Sequence, residues 1–325
     1  MKDLLDAALS AYRHGKNEAL RIGAAASGRE FDRLLEEAIA SRVPVTERLM
    51  LRVSSLARVR ALHAARAGQL EVCEQALAES TDILRSAELS LFGRLVATSF
   101  HEAVSAYLAY RRGDYEGARQ HVAAALGLDA VLIETHGVTV LDLHRLQLGH
   151  NLVRTDARAG ESLRAMQTSA SLLSAMEDST EEGPLPPVRS PGFTALPPEL
   201  LRAMFIQIAS EPALILAGRD RGEAARLFAP LAEHAAGKAT RGCGDHALAH
   251  RYLRAKAAFL DGAGEAFFEQ VAALLGGGPG EAPLLWRAAA RDLHDACVAR
   301  GEPGAAEIAA DSAGWREPSL RVRAA

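Results

Sequence analysis

The sequence has 325 residues, of which 49% are hydrophobic and 24% are charged, and its formal net charge is −4. This composition excludes extensive disorder, and the weak negative charge excludes a global basic field that would recruit nucleic acid or an anionic membrane. Aromatic residues make up only 5%, whereas alanine and leucine are abundant, which favours helices over strands.

The predicted elements are helices along the whole chain. Apolar residues recur at helical spacing, as in Leu56, Val59 and Leu62, and no segment alternates as a half-buried strand would. A helix of small residues repeatedly runs into a glycine-containing turn, after which a second helix opens. The pattern predicts antiparallel helical hairpins. Its turn glycines are Gly15, Gly68, Gly113 and Gly160, with looser copies around Gly218, Gly262 and Gly301.

The best copy of this pattern runs from Ala106 to Leu126, and it resembles a tetratricopeptide repeat (TPR). In that family a glycine ends the first helix, a bulky residue two places later packs under the turn, and a small residue lets the second helix cross closely. Gly113, Tyr115 and Ala118 match these roles. The same roles in the preceding copy are matched by Gly68, Leu70 and Cys73.

The resemblance to the TPR family is partial. Glu102, Ser105-Ala106, Ala109 and Ala130 stand where the family prefers Trp, Leu-Gly, Tyr and Pro. The turn glycines at 68, 113 and 160 are 45 and 47 residues apart, whereas the family period is about 34. We therefore predict an all-α protein of stacked antiparallel helical hairpins, a TPR-like α-solenoid. An irregular helical bundle with similar turns is the alternative.

Proline divides the chain near its middle. Six prolines fall between Pro184 and Pro198, and proline at this density does not continue a helix. We predict TPR-like hairpins over residues 1–176, a Pro-rich linker or long loop over 177–199, and helical hairpins with a short tail over 200–325.

Cysteine usage and the first residues bear on location. Cys73, Cys243 and Cys297 are odd in number and far apart, which is typical of a reducing compartment. The opening residues carry acidic side chains where a signal peptide needs an apolar stretch, and no run is apolar enough to span a membrane. Only four of the 37 basic residues are lysines, a bias typical of GC-rich bacterial genomes. We predict a bacterial, cytoplasmic protein that does not contact a membrane.

Motifs for catalysis are incomplete. The segment that begins at His101 has Ser105 where a zinc protease helix has its second histidine. Cys243, His246 and His250 have the spacing of one helix face and are weak candidates for a metal site. Paired histidines one turn apart are more often packing residues, so we predict no metal, no cofactor and no catalytic residue.

Several polar residues interrupt an otherwise apolar helix. They need partners if they are buried, so two interpretations stay open: an internal network between helices, or a binding surface. The residues are His144, Gln147, His150, Asn151 and Arg154.

The TPR resemblance implies that Gln147, His150, Asn151 and Arg154 line an inner groove. Equivalent groove positions on earlier hairpins and at the groove's edge are Arg58, Phe100, Tyr107, Tyr110, Arg111 and Arg158. Guanidinium groups bind carboxylates in pairs, and aromatic rings supply contact area. We therefore expect a protein or peptide partner that carries acidic groups, and no nucleic acid.

These features together predict a non-catalytic scaffold that binds a protein or peptide on the concave face of a TPR-like helical stack. Three other functions fit the same sequence. The chain can be an immunity or antitoxin protein that neutralises a toxin, a metal- or small-ligand-dependent enzyme or accessory factor, or the regulatory domain of a signalling system.

Overall fold

The computed structural model describes residues 1–18, 24–178, 185, 193, 196–237 and 246–322. These ranges contain fourteen α-helices, a short 3₁₀ turn at Pro318–Leu320 and no strand, so the predicted all-α class is confirmed. The helices are α1 (Lys2–Gly15), α2 (Ala24–Ala40), α3 (Val45–Arg66), α4 (Leu70–Ser86), α5 (Leu91–Arg112), α6 (Tyr115–His136), α7 (Leu141–Arg158), α8 (Ser162–Asp178), α9 (Pro198–Leu216), α10 (Arg221–Gly237), α11 (Ala247–Asp261), α12 (Gly264–Leu275), α13 (Pro283–Val298) and α14 (Gly304–Ser312).

The chain divides into two compact units. We call Ala26–Leu201 the central unit, and Met1–Ala25 together with Arg202–Ala325 the terminal unit. This division differs from the predicted one at the N-terminus, because residues 1–25 belong with the C-terminal helices and not with the first hairpins. Most of the predicted linker at 177–199 lies outside the described residues. Within the described part of the chain, no helix combines the length and apolarity needed to cross a bilayer.

The central unit is built from consecutive helical hairpins. Helices α3 and α4, α5 and α6, and α7 and α8 pack in pairs, while α3 also packs against α5 and α6 against α7. Each of these six helices has 17 to 22 residues. Two such helices and their turns occupy the 45 and 47 residues between the turn glycines.

Glycine conformation explains where the hairpins turn. Gly113 has φ of 79° and ends α5 in the left-handed region, which glycine adopts without the steric cost of a Cβ. Asp114 then caps α6, because its Oδ1 accepts a hydrogen bond from the Gly117 backbone N–H at 2.9 Å. The predicted turn glycines with positive φ are Gly68, Gly113, Gly160, Gly218, Gly262 and Gly301.

Small residues let α3 and α4 approach closely. Ala61, Ala65, Cys73 and Ala76 form one buried cluster with Leu77. The sequence predicted the small-residue position at Cys73, whose side chain is fully buried. Helices that approach this closely make many dispersion contacts even though their side chains are small.

The first helix joins the terminal unit through specific contacts. Helix α1 packs against α12, and the Tyr12 ring stacks on Trp286 of α13 with centroids 5.4 Å apart. Gly15 ends α1 without the left-handed conformation of the other turn glycines. Its backbone lies so close to the Leu275 carbonyl oxygen that a Cβ would come within 1.8 Å of it. The absence of a side chain at Gly15 therefore allows α1 to lie close to α12.

An ionic cluster joins α1 to α14. Glu307 accepts hydrogen bonds from Arg13 Nε (2.8 Å) and Lys16 Nζ (3.0 Å), and Asp311 accepts from Lys16 Nζ (2.8 Å) and the Tyr12 hydroxyl (2.7 Å). Burial alone would raise the pKa of both carboxyls, but these hydrogen bonds outweigh it and hold each pKa below its ordinary value. The two carboxyls therefore bind fewer protons in the folded state than in the unfolded state.

This cluster predicts acid sensitivity of the terminal unit. Its stabilisation is present above the ordinary carboxyl pKa values and is lost as pH falls through the depressed folded values. Between pH 7 and pH 3, the free energy of unfolding should fall by about 1 kcal/mol less in the double variant Arg13→Gln/Lys16→Gln than in the native chain. The difference is small because the groups are partly exposed. Urea unfolding followed by tryptophan fluorescence measures this, because both tryptophans, Trp286 and Trp315, lie in the terminal unit.

The matched control for this prediction is Lys2→Gln, which removes a positive charge from an exposed position of the same helix. The native pH dependence should persist in this variant. An equal loss of stability on acidification in the native chain and the double variant would show that the cluster does not couple to folding.

Candidate functional site

Helices α5 and α7 bring aromatic and cationic side chains together on the central unit. On α5, the Tyr107 and Tyr110 rings stack with centroids 6.0 Å apart and planes inclined by 26°. Helix α7 contributes Asn151 and Arg154, which share a small notch with both tyrosines. We call the surface formed by Tyr107, Tyr110, Arg111, Asn151, Arg154 and Arg158 the tyrosine–arginine face.

The arginines at the edge of this face hold the tyrosines in place. Arg111 Nη1 donates to the Arg66 carbonyl oxygen at 3.0 Å and lies 3.5 Å from the Tyr107 hydroxyl. Arg158 Nε donates to the Tyr110 hydroxyl at 3.4 Å, and this hydrogen bond raises the pKa of Arg158. Because carbonyl and hydroxyl oxygens satisfy these N–H groups without cancelling charge, the edge of the face stays cationic.

The notch has a volume of about 20 Å³ and an apolar floor formed by Ala106 and Val122. Thr155 completes its lining beside the tyrosines, Asn151 and Arg154. This volume admits one small polar group, such as one carboxylate oxygen or a water. One arginine and no carboxylate line the notch, and a guanidinium group can bind a carboxylate through two parallel hydrogen bonds.

The neighbouring arginines of α6 and α8 are arranged differently. Asp156, which is buried, accepts hydrogen bonds from Arg119 Nε at 2.9 Å and from Arg164 Nε and Nη2 at 2.9 and 2.8 Å. Glu161 also accepts from Arg119 Nη2 at 2.7 Å. These carboxylates cancel the charges of both guanidinium groups. Arg119 and Arg164 therefore link α6 and α8 to α7 and are not part of the tyrosine–arginine face.

Two predicted site residues lie in the interior of the central unit. Arg58 is only 7% exposed, its Nη1 donates to Ser54 Oγ at 2.8 Å, and desolvation lowers its pKa to about 10. The expectation that Arg58 lines a groove is therefore corrected. Phe100 is partly buried and stacks on the His144 ring at a centroid distance of 4.4 Å, so it is a packing residue.

The polar cluster of α7 is divided between the interior and a surface notch. His144 Nδ1 hydrogen bonds to Asp129 Oδ2 at 2.8 Å, and Ser99 Oγ donates to Asp129 Oδ1 at 2.5 Å. All three residues are buried, so this end of the cluster is an internal network. Asn151 and Arg154, two to three turns further along the helix, line the notch. Gln147 and His150 are partly buried and do not line it.

Asp129 and Ser99 are the residues that the sequence interpretation missed. Asp129 lies in an apolar run of α6, between Leu128 and Ala130. A lone carboxylate in such a run is a signal for a buried partner, since an unpaired buried charge is very costly.

The weak metal candidates are only partly described. Cys243 lies outside the described residues. The His246 ring stacks on Phe205 with centroids 4.1 Å apart, and the buried His250 ring lies 5.4 Å from Phe205 and 5.7 Å from His234. These contacts group the histidine rings with Phe205 in the terminal unit, and the expected absence of a metal stays a prediction.

The function of this chain has to be inferred from the geometry of the site. No protein-family model, curated protein or solved structure matches the chain.

Proposed function

We propose that this chain is a non-catalytic binding protein whose tyrosine–arginine face holds an acidic peptide segment of a protein partner. The observation that carries the proposal is the grouping of Tyr107, Tyr110 and Arg154 around a notch with no carboxylate lining. Stacked tyrosines offer rigid contact area at low entropic cost, and arginine groups bind carboxylates with two parallel hydrogen bonds.

The TPR-like interpretation remains part of this proposal. Left-handed glycines at Gly68, Gly113 and Gly160 support it, since each one follows the first helix of a hairpin. In a helical repeat the first helices are neighbours along the stack, and a surface shared between α5 and α7 is where an extended peptide crosses two hairpins.

Binding is tested with a library of acidic peptides and a pull-down with the full chain. We expect the double variant Tyr107→Ala/Arg154→Ala to weaken capture of the selected peptide at least ten-fold, because it removes an aromatic contact and a charge-assisted hydrogen bond. The change in the free energy of unfolding should stay below about 1 kcal/mol, since Arg154 is exposed and Tyr107 only partly buried.

The matched control is Arg85→Ala, which removes an arginine with a 78% exposed side chain from α4. Peptide capture should not change in this variant. Equal capture by the double variant and the native chain would refute the assignment of the binding face. If the captured partner is a toxin, the result favours the immunity function.

A further inference from the structure

A second concave site lies in the terminal unit. It is a cleft of about 330 Å³ between the C-terminal end of α9, the start of α10 and helices α11, α12 and α13. Small-molecule sites typically have volumes of about 300–1,000 Å³, so the cleft is large enough for a compact organic molecule. Its apolar walls include Leu216, Phe259 and Phe267.

The charges that line the cleft are mostly positive. Five lining residues are cationic and two are acidic. The cationic residues are Arg219, Arg221, Lys256, Arg291 and Arg300, and the acidic ones are Asp292 and Asp295. A cleft with apolar walls and an excess of one charge sign attracts ligands of the opposite sign.

The hydrogen bonds of three arginines preserve this positive charge. Arg221 donates to the Leu260 carbonyl at 3.1 Å and to the Phe259 carbonyl at 2.6 Å. Arg291 donates to the Ser319 carbonyl, and Arg300 donates to the Ala296 carbonyl at 2.9 Å. Backbone carbonyls fix the position of a guanidinium group without neutralising it.

Lys256 and Asp292 neutralise each other. Lys256 Nζ donates to Asp292 Oδ1 at 2.7 Å, and both side chains are buried. Burial raises the pKa of Asp292 even with Lys256 beside it. The second acid, Asp295, hydrogen bonds through Oδ1 with His294 Nδ1 at 2.9 Å. Arg219 forms an ion pair with Glu223. Arg221, Arg291 and Arg300 therefore face one further carboxylate, that of Asp295, and the net field of the cleft is positive.

Tyr252 supplies an independent indication of a ligand. Its side chain lines the cleft and is only 1% exposed, and its hydroxyl has no hydrogen-bond partner among the described residues. Burial and the Asp292 carboxylate raise the pKa of Tyr252, so the hydroxyl remains a donor. A buried donor without an acceptor is costly and rare in native structures.

We propose that this cleft binds a small organic anion. Its carboxylate or phosphate group interacts with the arginines, its apolar body packs against Phe259 and Phe267, and one of its oxygens accepts the hydrogen bond of Tyr252. The site belongs to the terminal unit and does not depend on the tyrosine–arginine face, so either proposal can fail without the other.

The first test compares anionic probes with neutral ones that carry the same phenyl ring. Benzoate and phenyl phosphate are titrated into the full chain by calorimetry and saturation-transfer NMR, with benzamide and benzyl alcohol as neutral counterparts. We expect at least one anion to bind with a Kd of about 1 mM or tighter, the range open to a ligand of this size. Neutral counterparts should bind at least ten-fold more weakly. If neither anion binds better than its neutral counterpart, the proposal is overturned.

The second test locates the binding. Tyr252→Phe removes only the hydroxyl, and we expect it to weaken anion binding about ten-fold while leaving the thermal midpoint unchanged or higher. Arg291→Gln should weaken binding by a similar factor. The control variants, Tyr115→Phe and Arg85→Gln, make the same chemical changes in the central unit and should not alter binding. Unchanged binding in Tyr252→Phe together with a lowered thermal midpoint would show that the hydroxyl is structural, which overturns the proposal.

Discussion

An alanine in place of Gly15 is expected to lower the free energy of unfolding of the terminal unit by about 3 kcal/mol, the upper end of the cost of overpacking. The new Cβ would lie 1.8 Å from the Leu275 carbonyl oxygen and 3.1 Å from the Gly278 Cα. Backbone atoms cannot rotate away as a side chain can, so α1 must shift from α12. The same carbonyl accepts the Trp286 indole N–H at 3.0 Å, and this hydrogen bond is disturbed too.

Urea unfolding followed by tryptophan fluorescence measures this loss. The matched control is Gly237→Ala, because Gly237 also ends its helix and has no atom within 4 Å of the position of an added Cβ. We expect the control to change stability by less than about 0.5 kcal/mol. A similar small effect at Gly15 would show that α1 does not dock against the Leu275 carbonyl.

Replacing Asp129 with alanine is expected to destabilise the central unit by about 3 kcal/mol, since it removes the shared acceptor of a buried network. Ser99 Oγ and His144 Nδ1 both hydrogen bond to this carboxylate, and all three residues are buried. Ser99→Ala removes one donor and leaves the Asp129–His144 pair, so we expect a loss of only about 1 kcal/mol. Both effects are measured by urea unfolding followed by far-ultraviolet circular dichroism.

The control for this prediction is Asp82→Ala on α4, where the side chain is 77% exposed. We expect a change of less than about 0.5 kcal/mol there. If Asp129→Ala were as mild as Asp82→Ala, the network would not contribute to the stability of the central unit.

The helices and most turns of this protein were predictable because they depend on local sequence. Glycine alone adopts positive φ without a steric cost, so Gly113 and Gly160 indicated turns through their positions in the repeated pattern. The small residues that follow these glycines, such as Ala118, indicated close helix crossing, and Ala118 is buried as expected. Gly15 is an exception. Its pattern resembles that of the other turn glycines, yet its role depends on a carbonyl 260 residues away in the chain.

The candidate site was predictable in part. Tyr107, Tyr110, Asn151 and Arg154 share one notch, because residues of one face recur every three or four positions along a helix. Arg58 satisfied the same periodicity but is buried. Periodicity identifies the face of a helix, whereas burial depends on which helix covers that face.

By itself, the sequence determined the all-α class, the hairpin turns and the grouping of polar residues along α7, because each of these depends on neighbours within a few turns of the same helix. Only the tertiary structure decided that α1 belongs with the C-terminal helices, that Asp129 satisfies His144, and that Tyr252 lines a cationic cleft. These features depend on contacts between residues distant in the chain. Such contacts follow from the packing of whole helices, which no local pattern encodes.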